Sequence, residues 1–160
     1  MIDGRLIENI RRRYALDWNG IHGVSHWRRV HENGLRLAKA TGARTAVVEL
    51  FAYLHDALRV NNGIDPDHGA RAAEWARSLC GSAFHLAPDE MELLVVACHC
   101  HTDGLTSGEV TVVTCWDADR LDLGRVGIEP DPKRLCTEAA RDPETMAWAY
   151  ERSLGGSARR

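Results

Sequence analysis

The stretch Val47–Ala76, "VVELFAYLHDALRVNNGIDPDHGARAAEWA", decides the fold. Val47, Val48, Leu50, Phe51, Ala52, Tyr53 and Leu54 make a segment that is apolar on nearly every side. A helix of that kind belongs in the centre of a structure. His55 and Asp56 then follow with no polar lead-out. An imidazole and a carboxylate buried together are costly unless something satisfies both. Past the break at "NNGIDPD", Pro66 opens a second helix at a position where proline is tolerated.

Other segments have the same helical character. Leu6, Ile10, Tyr14 and Ala15 fall at helical spacing within 1–17. Ser25 is an expected N-cap for a helix closed by Gly42, with Trp27, Val30, Gly34 and Ala38 as its inner stripe and His26 at the edge. Helices are expected over 44–58, 66–80, 88–100 and 143–152. The 110–127 segment has strand propensity in Val110–Thr114. Its Val112, Trp116, Asp119, Leu123 and Val126 nevertheless recur at helical intervals, so it too is read as helix. The expectation is an all-α bundle of six or seven helices over 1–152, with 153–160 a flexible tail.

The 160 residues suit one domain, and 44% hydrophobic content supports a real core. The net charge of −3 and the scattered basic residues argue against nucleic-acid and membrane-surface partners. No apolar run approaches the roughly 20 residues of a membrane span. The first residues lack an apolar signal core. The five cysteines have no disulfide-framework or zinc-ribbon spacing and read as free thiols. A cytoplasmic location is expected.

Eight histidines are present, several in apolar segments. His26, His55, Asp56, His68, His101 and Asp119 occupy inward or loop-mouth positions. Imidazole and carboxylate are natural ligands of divalent metals, and an ion would satisfy His55 and Asp56 together. Asp119 lies on the apolar stripe of its helix and Asp117 points away from it, so Asp119 is the better ligand. The same test does not separate His99 from His101. His22, His31, His85 and His99 read as surface or loop residues, although His22 lies near the mouth. Arg59 and Arg120 are candidate phosphate anchors, against the simpler reading of solvated surface arginines. The loop acids Asp65 and Asp67 could position water or serve only as turn residues.

These motifs resemble the HD-domain superfamily of metal-dependent phosphohydrolases. The resemblance rests on His26 in "HGVSHWRRV", His55-Asp56 in "LFAYLHDALR" and Asp119 in "CWDADRLDLG", and runs from about residue 20 to 130. It implies that His26, His55, Asp56 and Asp119 bind a divalent ion (Mn, Fe, Zn, Co, Ni or Mg). It further implies hydrolysis of a small phosphorylated substrate such as a nucleotide. His68 and His101 stand in the order of the extra histidines of two-metal members, and with Arg59 they are the candidate catalytic residues. No further carboxylate sits close to either histidine, which favours one ion over two; for two ions Asp56 is the only obvious bridge, its oxygens facing different ions with His26 and His55 on one side. The Gly-Tyr-Pro signature of cyclic-dinucleotide enzymes is absent after His101, and no Glu follows His55-Asp56 closely. Two other readings use the same residues: a diiron oxygenase resembling myo-inositol oxygenase, and a non-catalytic nucleotide-binding module stabilised by its metal.

Overall fold

A computed structural model describes residues 2–155, and regular structure among them is helical apart from one isolated bridge between Cys80 and Phe84. The helices are α1 (Gly4–Arg13), α2 (Val24–Thr41), α3 (Thr45–Leu54), α4 (His68–Leu79), α5 (Pro88–Cys100), α6 (Val110–Arg120), the single-turn α7 (Glu138–Arg141) and α8 (Pro143–Gly155). Short 3-10 turns at Leu123–Val126 and Pro132–Arg134 link α6 to α7. The all-α expectation holds, with seven helices of ten residues or more.

The apolar helix α3 is the centre. It packs against α2, α5 and α6, while α4 lies on α5. Trp27, Val30, Leu37, Phe51, Leu54, Leu94 and Leu121 are sealed in the core, and α1 adds Leu6 and Ile10. Polar ties set the depth of the packing. The buried Asn33 amide donates to the Ala118 carbonyl, joining α2 to α6. The Trp116 indole donates to the Ala97 carbonyl, joining α6 to α5. The strand propensity of Val110–Thr114 is overridden at both levels. The Glu109 carboxylate caps Thr111 and Val112, and Val112, Cys115 and Trp116 are buried.

Several boundaries differ from the sequence reading: α1 covers Gly4–Arg13 where 1–17 was expected, and α4 begins at His68, with Pro66 in the turn before it. Helix α3 ends at Leu54, and His55–Leu58 form tight turns. The expected α6 helix stops at Arg120, and Val126 at the end of its stripe is exposed. Helix α2 begins at Val24 with Gly23 as its N-cap, because the Val24 N–H donates to the Trp18 carbonyl. Ser153–Gly155 belong to α8, and 156–160 of the expected tail lie outside the described residues. Among the described residues no helix is long and apolar enough to cross a membrane.

Gly34 lets α2 approach α3 closely. A Cβ there would lie 2.4 Å from Val48 Cγ1 and 3.6 Å from Ala118 Cβ. Val48 is β-branched and buried, so it cannot swing aside. Gly34→Ala is therefore expected to lower unfolding free energy by about 1–3 kcal/mol, measured by denaturant titration. Gly4→Ala, with nothing within 4 Å of its added methyl, is the control expected to change little.

Candidate metal centre

Four histidines are turned inward by what holds their outer nitrogens. His55 Nδ1–H donates to the Phe51 carbonyl at 3.0 Å, one helical turn back. His101 Nδ1–H donates to the Cys98 carbonyl at 2.7 Å and His68 Nδ1–H to the Asp65 carbonyl at 2.5 Å. His26 Nδ1–H donates to Asp122 Oδ2 at 2.7 Å. An oxygen acceptor on Nδ1 keeps the proton there and leaves the Nε2 lone pair facing inward, the usual arrangement of metal-binding histidine. All four rings are buried.

The four Nε2 atoms converge on two carboxylates. His26 Nε2 and His55 Nε2 are 3.2 Å apart. Asp119 Oδ1 lies 3.3 Å from His26 Nε2 and 3.6 Å from His55 Nε2. Asp56 Oδ2 lies 3.6 Å and 3.8 Å from the same two nitrogens. Donors at roughly 2.1 Å from a shared ion stand about 3.0 Å apart at right angles and about 3.4 Å apart at tetrahedral angles. The measured separations are of that size. On the opposite side, Asp56 Oδ1 is 3.1 Å from His68 Nε2 and 3.6 Å from His101 Nε2, which are 2.9 Å from each other. Two inward lone pairs at that distance repel unless positive charge lies between them. The residues therefore fit a metal ion at the first set of donors, and the second set offers three more with Asp56 shared.

Local packing explains why the second pair meets. Gly69 follows His68 at the start of α4, and a Cβ on it would fall 2.5 Å from the Cys98 carbonyl oxygen. Glycine thus lets the start of α4 rest on the end of α5, bringing His68 to His101.

The electrostatics point the same way. Burial works to raise the pKa of Asp56, but His55, His101, His22 and His68 outweigh it and hold the carboxyl well below the usual range. Burial likewise opposes ionisation of Asp119, and His26 and His55 reverse it. Burial works against a charged His55 imidazole, yet Asp56 and Asp119 raise its pKa. The centre is built to hold positive charge.

The structure brings together His26, His55, Asp56, His68, His101 and Asp119. It also makes distinctions the sequence left open. His101 is buried, whereas His99 is exposed. His26 is fully buried, although its stripe position suggested an edge. Asp117 does point away from the cluster but is more deeply buried than Asp119, with side-chain exposure of 17% for Asp119 against 0% for the Asp117 residue. Its oxygens accept from Cys136 N, Thr137 N and the Thr137 hydroxyl, so it anchors the segment that leads into α7. Arg59 turns inward and places Nε 3.2 Å from Asp56 Oδ1, while Nη1 donates to the Asn61 and Gly63 carbonyls. Asp65 is taken up by Arg71 and the Val60 N–H.

Two members of the site escaped the sequence reading. His22, read there as a surface or loop residue, is only 6% exposed, and its Nδ1–H donates to Asp56 Oδ2 at 2.9 Å. Asp122 is fully buried, and beyond His26 it accepts from Arg29 Nε at 2.6 Å and Nη2 at 3.1 Å. Spacing carried a signal for each: His22 precedes His26 by four residues, and Asp122 follows Asp119 by three.

No protein-family model, curated protein or solved structure matches this chain.

Two contrasts test the assignment. Asp119→Asn should sharply reduce bound metal, read by elemental analysis, with a small change in melting temperature. Asp117→Asn should keep its metal and lose stability, because Asp117, unlike Asp119, ties Cys136 and Thr137 to α6. Asp122→Asn should weaken metal binding by about 10–100-fold, the usual effect of removing a carboxylate behind a ligating histidine. Competition with a fluorescent chelator would measure it.

Proposed function

We propose that the chain is a metal-dependent phosphohydrolase of the HD-domain kind, cleaving an ester or anhydride bond of a small phosphorylated metabolite. The observation that carries this reading is the convergence of four tautomerically fixed Nε2 lone pairs on the paired oxygens of Asp56 and on Asp119. The order of His26, His55-Asp56 and Asp119 along the chain, each in its local context, agrees with it.

His26, His55, Asp56 and Asp119 would hold one divalent ion, and His68, His101 and the second oxygen of Asp56 another. The sequence favoured a single ion for want of a second carboxylate. A shared Asp56 removes that objection, so the reading here is a two-ion centre. Such ions supply Lewis acidity toward phosphoryl oxygen and lower the pKa of bound water. The protein's own part is positioning. His22 holds Asp56 Oδ2, Arg59 adds positive charge beside Oδ1, and Asp122 with Arg29 fixes the His26 ring. The candidate ligands come from α2, α4 and α6 and from the turns that close α3 and α5, all packed on one core, which limits how far any can drift.

The same six donors and carboxylate bridge would suit a diiron oxygenase, the second reading. Protein purified without chelators separates the two. The phosphohydrolase reading expects release of p-nitrophenol or phosphate from p-nitrophenyl phosphate, its bis-ester or ADP, abolished by chelation and restored by manganese. Iron-specific loading with oxygen uptake, and no hydrolysis at full metal occupancy, would favour the oxygenase. Full occupancy with neither activity would favour the non-catalytic module.

The metal count has its own test. The double variant His68→Ala/His101→Ala should bind one ion per chain where the parent binds two. Retention of two ions would exclude these histidines as ligands.

A further inference from the structure

A cavity of about 530 Å³ opens directly beside the candidate centre, and His101 belongs to both. It lies between the turn after α5 and the segment from Leu123 to Leu135. Its size is that of a small-molecule site. Leu123, Ile128 and Leu135 give it an apolar wall, and Ile128 is half exposed there.

Two arginines and two acids share the rest of the lining. Arg120 directly follows the ligand Asp119 and lines the cavity. Its Nη1 is spent on the Arg134 carbonyl, but Nη2 is shielded from water and has no hydrogen-bond partner. Arg134 also lines the cavity, and its guanidinium has no hydrogen bond or ion pair among the described residues. Two guanidinium groups with unused donors suit a phosphate or carboxylate oxygen. Among the cavity's acids, Asp131 directs one oxygen to the Lys133 N–H. Glu129 on the lining can accept from a hydroxyl or amino group.

We infer that this cavity binds the non-reacting part of the substrate, and that this part carries a second anionic group, held by Arg120 and Arg134, on a body with an apolar face. The inference rests on the phosphohydrolase reading and narrows its substrate class. The reacting phosphoryl group occupies the His/Asp centre, and the second anion sits one residue further along, past Asp119. A phosphate ester with a small uncharged body would fill the centre and leave the arginines unused.

The test uses manganese-loaded full-length protein with ADP as the doubly anionic probe and p-nitrophenyl phosphate as the singly anionic one. The specificity ratio, kcat/KM for ADP over kcat/KM for p-nitrophenyl phosphate, should fall at least tenfold in Arg134→Ala and further in Arg134→Glu. Arg134 is exposed, so these variants should fold, and melting temperature and metal content would verify that. A ratio unchanged in both variants overturns the inference. If the wild-type protein hydrolyses neither probe, the phosphohydrolase reading fails separately, and calorimetric binding of ADP decides the cavity. Binding that weakens tenfold in Arg134→Glu supports the anion site, and absent or equal binding overturns it.

Discussion

The Asp56 carboxylate must be both buried and charged, and the arrangement around it serves that requirement. A lone carboxylate in an apolar interior would take up a proton or force the site open. Here Oδ2 faces His26 and His55 with His22 behind it, and Oδ1 faces His68 and His101 with Arg59 alongside. These partners come from α2 and the loop before it, the end of α3, the start of α4 and the end of α5. Moving any one of these elements would leave a buried group unpaired.

Helix ends recur in this arrangement because a carbonyl oxygen there has two lone pairs and can accept from a histidine ring as well as from the backbone. His55 and His101 each sit where a helix closes and use a carbonyl one turn back to anchor Nδ1. His68 does the same at the start of α4 through the loop carbonyl of Asp65. His26 lies early in α2, beyond reach of such a carbonyl, and is anchored by Asp122 instead. Asp122 is in turn neutralised by Arg29, one turn along from His26 on the same helix. The centre is thus held by backbone carbonyls near helix ends and by one side-chain network.

Asp117 and Asp119 separate burial from ligation. Both lie on α6, and the more deeply buried of the two is structural. Asp117 satisfies two backbone N–H groups and a hydroxyl where the chain enters α7, so its oxygens are saturated. Asp119 meets only the imidazoles of His26 and His55 among the described residues, and its oxygen remains free to serve a cation. The partners of a carboxylate, more than its depth, mark it as a candidate ligand.

Periodicity and local chemistry were enough to point to the helices, the central place of α3 and the candidates His26, His55, Asp56, His68 and Asp119, because each reading depends on neighbours within a turn or two of chain. Val47–Leu54 is apolar all round wherever it is placed, and His55-Asp56 at its end demands a partner on any fold. The roles of His22 and Asp122 were decided only by tertiary structure. Their partners, Asp56 and His26, lie 34 and 96 residues away, and spacing alone cannot report such contacts. The choice of His101 over His99 was likewise decided by α4 docking on α5 through Gly69, since the α5 sequence presents both histidines about equally. Asp56 was the one bridging candidate in the sequence, but its placement between two histidine pairs is tertiary: it requires two loops and four helix ends to meet at one carboxylate.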